Sequence, residues 1–189
     1  MRSTPIIVAI SMGLTLAACG KKAETTTETT VSSDMNVSMG NTTASLAPMP
    51  AQQFTDMIAA SDMFEIQSGK LAETMGSTAG VKAFGKMLVK DHTDSSSRLK
   101  AQAGKTKPVV ALPMILPADL KAKLTALKAT SGAAFDKLFV EQQIEGHQKA
   151  FDALTAYAAG GDQPPLQEFA TAVAPTVQGH LTALQAMPK

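Results

Sequence analysis

The chain of 189 residues carries 17 basic and 16 acidic side chains, with 44% hydrophobic and only 4% aromatic residues. This length and apolar content suffice for one folded domain with appendages. The formal net charge of +1, without a long basic or acidic block, argues against recognition of nucleic acid, so we expect no nucleic-acid partner.

The first 18 residues have the pattern of an export signal. Arg2 supplies a positive start, and the 14-residue run from Pro5 to Ala18 is too short to span a bilayer but suits a signal-peptide core. The run ends in LAAC, which resembles the bacterial lipobox and holds the only cysteine, Cys19. We therefore predict a lipoprotein signal peptide over 1–18, lipidation of Cys19 and attachment to the membrane through that lipid. The alternative is an uncleaved or ordinarily cleaved signal.

Residues 19–51 are predicted to be the lipidated cysteine and a flexible tether. This segment is rich in threonine, serine and asparagine and has no apolar period, so it cannot bury enough apolar area to order itself. Gly20 after the cysteine resembles the outer-membrane sorting pattern, which implies an outer membrane lipoprotein that faces the periplasm. Met35, Met39 and Met49 also allow a thioether Cu(I) site, although ordinary linker residues are the favoured interpretation.

Residues 52–189 form the predicted folded domain. Apolar residues recur there at spacings of three and four, and no alternating strand pattern occurs. The apolar stripes of four long helices and one short third helix lie at 54–75, 81–99, 120–127, 140–158 and 166–184. Turns are predicted at 76–78 and 160–163, with a longer connection at 104–117 and a break at 131–132.

These elements predict an all-α fold: an antiparallel four-helix bundle of the ferritin-like type, with a short extra helix in the crossover connection. Ser61, Ser68 and Ser95 are small enough to let the long helices approach closely. Pro175 inside the last helix predicts a kink, because proline removes a backbone donor and crowds the preceding turn.

The three histidines of the chain fall on three different long helices. His147 and His180 lie on apolar stripes, His92 lies on or beside one and follows Asp91, and the first helix offers Glu65. Counted from the first tight turn, Glu65 and His92 differ in height by three residues, or about 4.5 Å of helix. Counted from the second turn, His147 and His180 differ by the same amount. We expect these residues to form one polar layer, because ionisable groups on an apolar stripe are costly unless they are partnered.

Two interpretations of the polar layer stay open. In one, His92, His147 and His180, with Glu65 or Asp91, hold a single transition-metal ion such as zinc, copper, iron or nickel. In the other, which we favour, the histidines only hydrogen-bond carboxylates or backbone and fix helix register, so no cofactor is expected. A ferritin-type di-iron centre is disfavoured because it needs Glu-x-x-His motifs. The residues three positions before the histidines cannot bind metal; they are Val89, Ile144 and Val177.

Four stretches together resemble the domain-of-unknown-function 4142 family over residues 52–187: FTDMIAASDMFEIQSGKLAETM, VKAFGKMLVKDHTDSSSRL, FDKLFVEQQIEGHQKAFDAL and LQEFATAVAPTVQGHLTAL. Its specific elements here are Phe64-Glu65, Asp91-His92, His147, and Pro175 with His180-Leu181. The sequence departs from the family pattern at Ser96, where asparagine is common, and at Ala174, where leucine usually precedes the proline. The resemblance implies an exported bacterial protein, often named as an outer membrane protein, with a ferritin-like bundle. It implies no reaction.

The sequence favours a lipid-anchored, periplasm-facing bundle with a non-enzymatic role in envelope binding, structure or stress. No serine, cysteine or lysine lies in a recognisable catalytic pattern. Its partner would be an envelope protein or ligand that the sequence does not identify. The alternative is a metal-binding ferritin-like protein with a histidine and carboxylate site in the bundle core and an oxidoreductase or storage activity.

Overall fold

The computed structural model describes residues 49–187, and this part of the chain is helical without any strand. Its five helices are α1 (Ala51–Met75), α2 (Ala79–Ala103), α3 (Ala118–Lys128), α4 (Gly132–Gly160) and α5 (Pro164–Gln185). The prediction of an all-α fold with a short third helix is confirmed. Among residues 49–187, no helix combines the length and the apolar character needed to cross a membrane.

The predictions for the N-terminal segment fall mostly outside the described residues. The signal peptide, Cys19 and the tether up to residue 48 all lie there, and so do Met35 and Met39. Met49 is described, and its half-buried side chain packs against the hydrophobic core rather than standing free. The lipid anchor and the Cu(I) site therefore stay predictions.

Two hydrophobic cores follow each other along the long helices. The first core contains Phe54, Tyr157 and Phe169, and Phe54 stacks on Tyr157 with ring centroids 4.0 Å apart. The second core surrounds Phe84 and Phe139, whose rings meet edge to face. Each of α1, α2, α4 and α5 contributes to both cores, so every long helix runs from one core to the other.

The long helices pack in a closed set of neighbours. The pairs α1–α2 and α4–α5 are each joined by a short turn, α1 also packs on α4, and α2 packs on α5. The short helix α3 packs against α1 and α4. Helix α1 runs from the first core to the second, and α2 runs back to the first. Helices that are joined by a tight turn therefore lie side by side.

Helices α1 and α2 approach each other closely at two glycines, and the role predicted for the serines stays a prediction. A Cβ atom added to Gly69 would lie 2.7 Å from the Gly85 carbonyl oxygen, and one added to Gly85 would lie 2.6 Å from the Gly69 oxygen. Ser61 is only half-buried, and the buried Ser68 hydroxyl accepts a hydrogen bond from Gln143 Nε2 at 2.9 Å. The absence of side chains at the glycines therefore sets this helix spacing.

A side chain caps the start of α2, whereas none caps the start of α5. Thr78 Oγ1 accepts from the Val81 N–H at 3.3 Å and caps α2. Gln163 stands at the N-cap of α5 without a side-chain cap, while Asp162 instead accepts a hydrogen bond from the Tyr157 hydroxyl at 2.7 Å. Helix α5 continues through the exposed Pro175, and the kink there stays a prediction.

Candidate metal centre

The three histidines lie together in a polar layer between the two cores. His92 comes from α2, His147 from α4 and His180 from α5, and each is at least 95% buried. Their ring centroids are 5.3 to 5.7 Å apart. Phe84 packs its ring against both His147 and His180, so apolar atoms of the second core border the layer. The structure therefore brings together the histidines that the sequence placed at similar heights.

One nitrogen of each imidazole is engaged by a hydrogen-bond acceptor outside the cluster. His92 Nδ1 donates to Asp62 Oδ1 at 2.7 Å, and His180 Nε2 donates to Asp91 Oδ2 at 3.1 Å. His147 Nδ1 donates to the main-chain oxygen of Gln143, one turn earlier on α4, at 2.9 Å. An ionised carboxylate and a main-chain carbonyl can only accept hydrogen bonds. The outer nitrogen of every ring is therefore the donor and carries a proton.

The remaining nitrogens carry lone pairs and converge. One ring nitrogen from each histidine lies within 4.8 Å of the other two. His147 Nε2 and His180 Nδ1 are 3.3 Å apart, and the hydrogen bonds on their far sides leave both without a proton. His92 Nε2 is buried and has no hydrogen-bond partner among residues 49–187. Facing lone pairs repel each other, so the arrangement calls for a proton or a cation between them.

The spacing of these nitrogens fits a small metal ion after a modest movement. Two imidazole ligands at about 2.0–2.1 Å from a tetrahedral ion are roughly 3.3 Å apart, which is the separation of His147 Nε2 and His180 Nδ1. No two such ligands can be more than about 4.2 Å apart, so a pair at the 4.8 Å limit would have to close by at least about 0.6 Å.

Burial keeps two of the three imidazoles neutral. It lowers the pKa of His147 from 6.5 to about 3, with a further contribution from the neighbouring His92. It also lowers the pKa of His180, against the opposing hydrogen bond to Asp91. Burial opposes charge on His92 as well, but Asp62 and the charge of Glu65 outweigh it and raise the pKa of His92. A neutral imidazole is the form that binds metal, so protonation of His92 competes with an ion.

The two predicted carboxylates occupy different positions. Asp91 is partly exposed and binds the outer nitrogen of His180 and the Lys90 ammonium, so it orients a histidine rather than facing the converging nitrogens. Glu65 is only 1% exposed, and its Oε1 lies 3.9 Å from the outer nitrogen of His147. Burial raises the pKa of Glu65 to about 7. Both of its oxygens are buried without a well-formed hydrogen bond in the described part of the chain, although the charge of His92 and the nearby Gln143 side chain oppose the rise in pKa.

Sequence reasoning missed Asp62, the partner of His92. Asp62 is 2% exposed and also accepts a hydrogen bond from the Ser96 hydroxyl at 3.2 Å. Its position three residues before Glu65 places both carboxylates on one face of α1, and this spacing is the signal that could have identified it. His92 and Ser96 are four apart on α2, so both reach the same carboxylate. Ser96 therefore contributes to the layer although it departs from the family pattern.

Comparison with known families agrees with the resemblance found in the sequence. A family model described as a domain of unknown function (DUF4142) matches residues 37–187, which include all four resembling stretches. No curated protein and no solved structure matches the chain.

Proposed function

The chain belongs to the DUF4142 family, whose description assigns no activity, and from its polar layer we propose that the protein binds a single transition-metal ion. The ligands are His92 Nε2, His147 Nε2 and His180 Nδ1. The ion is zinc, copper, iron or nickel, for which imidazole is a suitable ligand. Glu65 and the partners of the histidines supply negative charge close to the cation.

One observation carries this proposal: all three imidazoles are hydrogen-bonded to acceptors on the outside, and their inner nitrogens converge with no acceptor or donor from outside the cluster within residues 49–187. Histidine ligands of metals almost always donate their other N–H to a carboxylate or a main-chain carbonyl, which fixes the tautomer and strengthens the ligand. Asp62, Asp91 and the Gln143 carbonyl supply these acceptors. A purely structural layer needs no such convergence and leaves His92 Nε2 unsatisfied.

The residues around the site determine what a bound ion could do. An ion there supplies Lewis acidity and, if it is copper or iron, one-electron redox chemistry. The two cores exclude bulk water from the histidines, and Asp62 and Asp91 hold the proton on the outer nitrogens of His92 and His180. Three protein ligands leave a coordination position for a further group, as in catalytic rather than closed structural sites.

The same proposal includes the finer fold and the location. An antiparallel four-helix bundle of the ferritin-like type, with α3 in the crossover, is supported by the neighbour pairs and by helices that alternate in direction between the two cores. A lipid on Cys19 that attaches the bundle to the outer membrane, facing the periplasm, is supported by the LAAC pattern after a short apolar run.

Metal titration of untagged, chelator-treated protein tests the proposal. We expect one equivalent of ion to bind and to stabilise the fold, by about 2.7 kcal/mol at a free concentration 100 times the Kd. The variant His92→Leu should stay folded and lose both effects. Asp94→Asn, at an exposed position on the same helix, is the matched control and should retain them. Absence of stoichiometric binding by the native protein would contradict the proposal.

A structural role is the second candidate, because the same hydrogen bonds connect different helices. Asp62 and His92 connect α1 to α2, and Asp91 and His180 connect α2 to α5. In that role a proton on His92 Nε2 takes the place of the ion, because the pKa of His92 is raised while those of His147 and His180 are lowered. His92→Leu then changes stability by at most a few kcal/mol in either direction, because replacing a buried polar network can be neutral. Metal ions then leave the melting temperature of the native protein unchanged.

A further inference from the structure

A groove of about 470 Å³ lies between α1, α3 and α4. Its lining is mainly apolar and includes Met57, Ile58, Phe64, Pro117, Leu120 and Ala150. Pockets of a few hundred cubic ångströms with apolar walls and a few polar groups are typical sites for small molecules.

The groove reaches a buried carboxylate. Glu65 lines it, is 1% exposed, and has two oxygens without a hydrogen-bond partner among the described residues. Gly146 on α4 makes room for this group, because a Cβ atom there would lie 3.3 Å from Glu65 Oε1. An unpaired buried carboxylate is costly, so its position at the groove indicates that a ligand completes its hydrogen bonds.

The lysines of the groove form no ion pair with this carboxylate among the described residues, and Lys123 makes only the smallest contribution to its pKa. Lys123 and Lys149 both pair with Glu145, with N–O distances of 2.7 and 2.6 Å, and together they lower its pKa to about 2. Asp119 and Asp56 add further acidic groups to the lining. A ligand in the groove would therefore meet acidic side chains that no described lysine pairs with, together with apolar walls.

We propose that this groove binds a small organic cation, with its apolar body between α1, α3 and α4 and a protonated amine donating hydrogen bonds to Glu65. An alkylammonium group offers three donors, and charge-assisted hydrogen bonds to a carboxylate are roughly twice as strong as neutral ones. The groove shares only Glu65 with the proposed metal site, and the histidine nitrogens take no part in binding the amine.

Three probes with the same six-carbon body test the charge preference: n-hexylammonium, n-hexanol and hexanoate, each titrated calorimetrically into metal-free protein at pH 8. Removal of metal with a chelator prevents amine coordination to an ion. We expect hexylammonium to bind at least ten times more tightly than hexanol, and hexanoate to bind most weakly. Glu65→Gln should reduce the affinity for hexylammonium to that for hexanol. Glu141→Gln, a half-exposed carboxylate outside the groove lining, should leave it unchanged.

Methyl NMR of the native protein locates the bound probe without a variant. We expect hexylammonium to shift the methyl resonance of Met57, which lines the groove. The methyl resonance of Met114, which is 89% exposed in the α2–α3 connection, should stay unchanged. The proposal is overturned if hexylammonium does not bind, if Met57 does not respond, if hexanoate binds as tightly, or if a folded Glu65→Gln variant binds equally well.

Discussion

The adjacent Asp91 and His92 serve two different neighbours of α2. Successive residues of an α-helix point about 100° apart, so an adjacent pair can reach two elements at once. His92 donates to Asp62 on α1, whereas Asp91 accepts from His180 on α5. Two carboxylates on different helices thus orient two imidazoles, and the ionisable pair interrupts an apolar stripe because each member has its own buried partner.

At the same scale, Glu65 should make stability depend on pH. Burial raises its folded pKa from 4.5 to about 7, so the folded state binds more protons than the unfolded state between these values, and stability falls as the pH rises through them. In metal-free protein, Glu65→Gln should therefore raise the free energy of unfolding at pH 8 by up to about 3 kcal/mol. The gain should vanish near pH 4. Urea unfolding across this range measures it, and a gain independent of pH would contradict the assignment.

At the scale of the helices, two contacts between elements hold the second core together. Asp136 on α4 accepts from the Ser77 and Thr78 main-chain N–H groups at 2.8 and 3.0 Å, and from the Ser77 hydroxyl at 2.8 Å. This carboxylate therefore fixes the α1–α2 turn against α4. The glycine pair at positions 69 and 85 sets the distance between the two helices that the turn joins.

Loss of the Asp136 carboxylate should weaken the fold. Asp136→Ala removes three part-buried hydrogen bonds from the turn to a charged acceptor, so we expect a loss of about 1–3 kcal/mol in the free energy of unfolding at pH 7. Burial opposes charge on Asp136, but the hydrogen bonds from Ser77 and Thr78 outweigh it and lower its pKa. The stabilisation is therefore present above about pH 4 and is lost as the pH falls through the lowered pKa. Asp152→Ala, exposed on the same helix, serves as the control, and an equal effect from it would refute this role.

A methyl group at the glycine contact should force α1 and α2 apart. The Cβ atom of Gly85→Ala would lie 2.6 Å from the Gly69 carbonyl oxygen, and backbone cannot move aside as a flexible side chain can. Overpacking of this kind costs about 1–3 kcal/mol. Gly80→Ala lies on the same helix with no atom of the described residues within 4 Å of the added Cβ, and there we expect no loss. Thermal denaturation compares them, and equal melting temperatures would show that the contact is not tight.

At the scale of the whole molecule, a polar layer divides the hydrophobic interior of the described domain into two cores. The layer collects the buried Asp62, Glu65, His92, His147 and His180, while aromatic residues fill the interior on either side. Such a layer is stable only where its groups are partnered, and here several partners sit on different helices. Helix register and the proposed metal site therefore depend on the same contacts.

Membrane attachment of the full chain is expected to depend on Cys19. A thioether-linked diacyl group anchors a protein stably, whereas the described helices offer no membrane-spanning segment. Cys19→Ser should therefore shift the protein from the membrane fraction to the soluble fraction or to an unprocessed precursor. Fractionation of the native producing cells with immunodetection measures this, and unchanged membrane association of the serine variant would disprove the lipoprotein prediction.

The sequence by itself determined the helices and the heights of their polar residues. Spacings of three and four fixed the helical segments, and the glycine and proline breaks fixed the turns, because both depend on local backbone chemistry. Counting from those turns placed His92, His147 and His180 near one level. These features need no knowledge of which helix faces which.

Only the tertiary structure decided the partners of these residues. The rotation of each helix about its axis depends on packing, so only the packed structure brought Asp62 to His92 and directed one ring nitrogen of each histidine towards the other two. The close approach at Gly69 and Gly85, and the groove beside Glu65, likewise arise between segments distant in sequence. Periodicity reports which residues are buried, but a shared site depends on distances between helices, which no single helix encodes.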